Sequence, residues 1–167
     1  MPYPPPNKGL GKPQLTQATL LLLRVEVCVK EIFEQGKLFP WPRPPDCPQC
    51  HGRLWGHGFA AAYFDGVDGV VLLRRYRCRD CHVILRLRPL SHWPRFQSSI
   101  SNILHSLSHR LQSGTWPSGL SRQRPGHWLR SLTRRVHNHL GMGWRGDLLE
   151  GYQELCQRGM VPVSRSV

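Results

Sequence analysis

Cys47-Pro48-Gln49-Cys50 and Cys78-Arg79-Asp80-Cys81 are two Cys-x-x-Cys pairs with 27 residues between them. Four thiolates arranged as two close pairs can close a tetrahedral zinc site, each pair forming one tight knuckle. In the first knuckle Pro48 presets a turn φ, and Gly52 follows where the chain must leave the turn. The second leads directly into Val83-Ile84-Leu85, a run of β-forming residues. The pattern predicts a zinc ribbon with Cys47, Cys50, Cys78 and Cys81 as ligands of one structural Zn2+. Four cysteines fill the tetrahedron and leave no open position for a catalytic water.

Between the knuckles, residues 54–64 and 70–77 read as strands around Asp65-Gly66-Val67-Asp68-Gly69, a segment rich in residues that accept positive φ. Residues 83–88 supply a third strand. The expected ribbon therefore spans 39–92 as a three-stranded sheet, with Arg74, Arg75, Arg77, Arg79, Arg86 and Arg88 on or beside its strands. A piece of about 40–50 residues has too small a core to fold without its metal.

Residues 1–14 are rich in Pro and Gly and are expected to be disordered. Residues 15–38 read as an N-terminal helix with Leu20, Leu23, Val27 and Phe33 on its apolar face and Gly36 as its stop. The alternation of Val25, Val27 and Val29 leaves a strand open as an alternative. Phe39-Pro40-Trp41-Pro42-Arg43-Pro44-Pro45 is a stiff, extended lead into the first knuckle.

Beyond the ribbon, 93–141 reads as helical. Phe96, Ile100, Ile103, Leu104, Leu107 and Leu111 recur mostly at spacings of three and four, and Gly114 closes the stripe. A second helix, opened at Ser121 or Arg124-Pro125, carries Trp128, Leu129, Leu132, Val136 and Leu140 on one side. Arg122, Arg124, Arg130, Arg134 and Arg135 occupy its other positions. A helix, a Gly-bearing turn and an Arg-rich helix form a candidate helix-turn-helix. Two helices packing on the ribbon would show the same stripes. In 142–167 a short helix over 147–157 and a loose tail are expected. The fold class is α+β.

The net charge is +13, from 23 basic and 10 acidic residues, and 19 of the basic residues are arginine. Between Asp80 and Asp147 there is no acidic residue, yet that stretch holds ten arginines and seven histidines. A solvated face normally mixes signs, so this bias suits a polyanion such as DNA, where phosphate contacts release counterions. Arginine adds a planar fork that grips phosphate and guanine bidentately. A codon bias toward arginine alone would not remove Asp and Glu. The candidate DNA contacts are Arg74, Arg75, Arg77, Arg122, Arg124, Arg130, Arg134 and Arg135.

His51 and His82 turn each knuckle into Cys-x-x-Cys-His, the attachment motif of c-type haem. Haem is not expected: the chain opens without an export signal, the surroundings are Arg, Gly and Pro rather than an apolar pocket, and the acid-free stretch would be unexplained. Cys28 and Cys156 stand alone, and the apolar run 18–23 is too short to span a membrane. A reducing cytoplasm fits this usage. No nucleophile elbow, phosphate loop or paired-carboxylate arrangement is present, so no enzyme is expected.

Several of these segments resemble the zinc-ribbon part of bacterial insertion-sequence transposases. They are 39–44, Cys47–Cys50, Trp55-Gly56-His57-Gly58, Arg75–Cys81 and Trp93–Ile100. The likeness is greatest to short transposon-associated proteins that pair such a ribbon with a helical tail, and it covers roughly residues 38–135. It implies DNA binding in a mobile-element context, with the four cysteines as zinc ligands. This chain differs in having His51 and His82 where such knuckles often carry a small residue, and it lacks an acidic catalytic domain. A zinc-dependent DNA-binding accessory, regulatory or remnant protein of a mobile element is therefore expected. The alternative is a ribbon that docks on a protein partner such as a transposase or RNA polymerase.

Overall fold

The structure, a computed structural model, describes residues 19–118 and 123–165. Its elements run β1 (Leu20–Val25), α1 (Val29–Gln35), a 310 turn (Gly36–Leu38), β2 (Leu54–Ala62), β3 (Val71–Cys78), β4 (Ile84–Pro89), α2 (Ile100–Ser113), α3 (Gln123–Leu140) and α4 (Leu148–Gln157). The class is α+β: a four-stranded mixed sheet with four helices, three of them C-terminal to it.

The sheet order is β1-β4-β3-β2. β2 and β3 form the expected hairpin over the Asp65–Gly69 turn, and β4 pairs antiparallel to β3. The fourth strand corrects two expectations. The helix over 15–38 is instead β1 followed by the two-turn α1, and the three-stranded sheet gains β1 parallel to β4, from Leu20 opposite Ile84 to Val25 opposite Pro89. A run such as Leu20-Leu21-Leu22-Leu23 has no period that separates helix from strand. The open edge of β4 decides it, because pairing satisfies the backbone groups of both segments at once. Gly36 does end α1, at φ 56.

Two buried clusters belong to the sheet. One gathers Leu54, Tyr76, Val83, Leu85 and Leu87 beside Cys47 and Cys78, with Leu21, Leu23 and Val25 of β1 packed against it. The other gathers Ile32, Phe39, Phe64, Val71 and Leu73, and Trp41 touches both. The Pro-rich lead thus covers the sheet with Phe39 and Trp41, whose rings meet edge to face at 5.1 Å.

The helices hold a third cluster around Trp93, Phe96, Ile103, Leu107, Trp128, Leu132 and Val136. Local signals set their ends: Ser99 caps α2, Gly114 closes it at φ 73, and Asp147 forms a capping box with Glu150 at the start of α4. α3 is the central helix, packed against both α2 and α4; a Cβ on Gly151 of α4 would lie 2.6 Å from Val136 Cγ2. The expected loose tail from residue 159 is instead partly built in. Val163 is fully buried, and the Ser164 amide donates to Ser131 Oγ at 2.7 Å. Residues 1–14, expected to be disordered, lie outside the described residues, as does Arg122.

Candidate metal centre and arginine face

The two knuckles come together. Cys47 Sγ lies 3.6 Å from Cys81 Sγ, Cys50 Sγ lies 3.4 Å from Cys78 Sγ, and all four sulfurs are within 4.8 Å of one another. Four sulfurs each about 2.3 Å from one zinc stand about 3.8 Å apart, so the observed spacing fits a closed ZnS4 tetrahedron. All four cysteines are free thiols. Cys47 and Cys78 are buried, while Cys50 is on the outer side. Among the described residues this is the one grouping of three or more His, Cys, Asp or Glu able to hold a metal.

The backbone prepares the site. His51 N–H donates to Cys47 O at 2.8 Å and Cys47 N–H to Gly52 O at 2.9 Å, which closes the first turn. Cys78 N–H donates to Val83 O at 3.0 Å and closes the second. Arg79 N–H donates to Arg53 O at 3.1 Å and ties the two knuckles to each other. Burial raises the Cys78 thiol, but the N–H groups of Cys81 and Asp80 aimed at its sulfur outweigh that and bring it down to about 7. The Val83 N–H pulls Cys81 down, while burial and the three neighbouring sulfurs push it up to about 12. Negative charges packed this closely repel one another. A dication would draw all four to thiolate.

His51 and His82 are not ligands; they occupy matching conformational roles. Both have left-handed backbone, at φ 58 and φ 60, one residue after the second cysteine of each knuckle. That is where the chain must turn back from the sulfur cluster, and it explains why a small residue would be at ease there. Gly52 leaves room for the second knuckle, since a Cβ there would lie 2.0 Å from Asp80 Oδ2 and 3.1 Å from Cys78 Sγ.

The candidate DNA-contact arginines divide into three groups. Arg74 lies over Phe59 and Tyr76, at 4.9 and 5.5 Å from their ring centres. Arg124 is paired with Asp65 at 2.7 Å, while Arg130 and Arg134 are exposed on α3 and Arg135 is half-buried. Arg75 faces Arg86 across β3 and β4. Because side chains two apart share a face, Arg77 and Arg88 lie on that same face, and Arg24 joins them as the partner of Arg88 in β1.

Arg24, Arg86 and Arg88 were absent from the expected contacts. Their period-two spacing in β4 is legible, but the partner in β1 required the strand that replaced the expected helix. All ten acidic side chains fall within the described residues, and none makes an ion pair with these five arginines. Arg88 is 7 % exposed and donates to the backbone carbonyls of Trp93 and Phe96. Burial, then its neighbours Arg86 and Arg24, draw its pKa down to about 10. The Nε atoms of Arg24, Arg75 and Arg86 are buried without a partner.

No family model, curated protein or solved structure matches the chain.

Proposed function

We propose that this chain is a non-enzymatic DNA-binding protein whose sheet is stabilised by one zinc ion, of the accessory or regulatory kind that accompanies transposases. The observation that supports this most is the arginine face. Five guanidinium groups share one side of a small sheet with no carboxylate to neutralise them, an arrangement that costs self-repulsion unless an anion is bound. Zinc contributes folding free energy rather than chemistry, holding β2, β3 and β4 in register. Phosphate contacts supply most of the affinity, and exposed Arg130 and Arg134 on α3 add to the field. The mobile-element context rests on the resemblance of the ribbon segments.

The test is titration of zinc-loaded, nuclease-treated protein with labelled DNA at increasing salt. If Arg24, Arg75, Arg77 and Arg86 each neutralise a phosphate, with Arg88 buried behind them, log K falls against log salt with a slope of about −3 to −4. An affinity indifferent to salt, or no binding at low salt, counts against the reading. Trp55, 48 % exposed beneath Arg53, would instead serve a protein-docking ribbon. A protein that co-purifies through Trp55 after nuclease treatment, with no DNA affinity, would favour that role.

A further inference from the structure

A groove of about 470 Å³ opens between the arginine face and the start of the helical region. Its charged lining is Arg86, Arg88, Arg95 and Arg165, with no acidic side chain. Its apolar lining includes Leu20, Leu22 and Tyr63, which are 46 %, 38 % and 58 % exposed. Large apolar side chains left this open beside four arginines give the groove two chemistries at once. Arg95 stands at its rim with φ 68, a left-handed conformation that a non-glycine residue holds only where its surroundings enforce it. Arg88 is anchored from below by its bonds to the carbonyls of Trp93 and Phe96, so part of the positive charge is fixed in place.

Resting on the DNA-binding reading above, we infer that this groove takes one unpaired DNA strand, its phosphates on Arg86, Arg95 and Arg165 and its bases against Leu20, Leu22 and Tyr63. Duplex DNA presents phosphates on its outside and keeps the faces of its bases stacked, so it would use the arginines and leave the apolar side chains in water. A single strand offers both surfaces, and stacking on an aromatic ring tolerates any base. The volume suits one or two nucleotides, within the range of about 300–1,000 Å³ usual for ligand sites.

The experiment compares binding of a labelled oligothymidine with binding of a duplex of equal length by the intact zinc-loaded protein. The variants are R86Q/R95Q/R165Q, Tyr63→Ala, and R130Q/R134Q/R135Q on α3; Arg88 is left untouched because it holds the loop at 93–96. Zinc content and thermal melting are checked to confirm that each variant is folded. The single strand is expected to bind more tightly than the duplex. The groove triple variant should weaken it at least ten-fold and flatten the salt slope by about 2, at roughly 0.7 per phosphate lost. Tyr63→Ala should weaken the single strand about five-fold or more and leave the duplex unchanged. Loss confined to the α3 variant, or duplex bound as tightly as single strand, overturns the groove while leaving the DNA-binding reading intact. Absence of all DNA binding at low salt overturns both, as does binding only to anionic phospholipid vesicles that depends on the same arginines.

Discussion

Asp65 and Arg124 stand 59 residues apart in the chain and 2.7 Å apart in space. Asp65 sits at the tip of the β2–β3 hairpin, and Arg124 in the first turn of α3. Ser98 completes the junction, donating to the same carboxylate oxygen and accepting from Arg124 at 3.3 Å. The Asp65 amide also donates to Gln97 O at 3.0 Å. Hairpin tip, the segment between β4 and α2, and helix start are therefore fastened at one point, and Arg124 serves structure before it serves any ligand.

Both side chains are more than a third exposed, so the pair is expected to contribute only about 0.5–1 kcal/mol. A double-mutant cycle with Asp65→Asn and Arg124→Gln, read by chemical denaturation, should return a coupling energy of that size. Arg124→Gln should leave the salt slope of DNA binding unchanged. A changed slope would return Arg124 to the contact surface.

Removal of the metal should separate the two halves of the fold. A strong chelator is expected to abolish the strand signal in circular dichroism while much of the helical signal persists, because the helices own a separate core around Leu107, Trp128 and Leu132. Elemental analysis should find one zinc per chain. Cys47→Ser, at a position with no exposure, should reproduce the chelated state even with zinc present. Gly52→Ala, which drives a methyl into the Asp80 carboxylate and against Cys78 Sγ, should weaken zinc affinity about ten-fold. Undiminished strand signal in metal-free protein would overturn the structural role given to zinc.

The left-handed histidines predict an order of substitutions. Glycine at position 51 or 82 should keep or raise the melting temperature, since relief of an unfavourable φ offsets the chain entropy glycine adds. Valine at either position should destabilise by about 1–2 kcal/mol, its branched Cβ being least at ease there. Equal tolerance of glycine and valine would show that the knuckles do not require this conformation.

His92 predicts an acid limb. It is 4 % exposed, its ring meets Phe64 edge to face at 4.6 Å, Ser91 Oγ lies 2.9 Å from Nδ1, and its Nε2 has no partner. Burial, then the charge of Arg88 and that of Arg24, lower its pKa from 6.5 to about 4, against an opposing pull from Asp65. The unfolded chain takes up a proton below about pH 6.5 that the folded chain refuses until about pH 4. Stability should therefore fall as pH drops through that window. His92→Phe should flatten this part of the curve relative to the parent protein, measured by urea denaturation at several pH values. Parallel curves for the two proteins would show that His92 titrates normally in the fold.

The four-cysteine cluster was legible because each knuckle is a local object: two sulfurs three positions apart on one turn face one point whatever the rest of the chain does. The helices were legible for the same reason. Gly114 and Asp147 mark ends through hydrogen bonds to their own neighbours, and the apolar stripe over 100–111 needs only a helical period, whereas Phe96, expected on the same helix, lies in the turn before the Ser99 cap. Leu20–Val25 was not legible, since its four consecutive leucines suit helix and strand alike and the choice fell to a partner strand more than 60 positions away.

By itself the chain's order of residues determined the four-cysteine cluster, the hairpin at Asp65–Gly69, three C-terminal helices and a strong excess of arginine. Only the tertiary structure decided where that charge is concentrated. Arg24, Arg75 and Arg86 become neighbours because non-local strand pairing sets their register, and the same pairing turns all three to one side of the sheet. The buried tail at Val163 has the same origin: the short run Met160-Val161-Pro162-Val163 has no period of its own and gains its place only where α3 and α4 form the surface that receives it. Local hydrogen bonding can be read along the chain, whereas burial and charge neighbourhood exist only once distant segments meet.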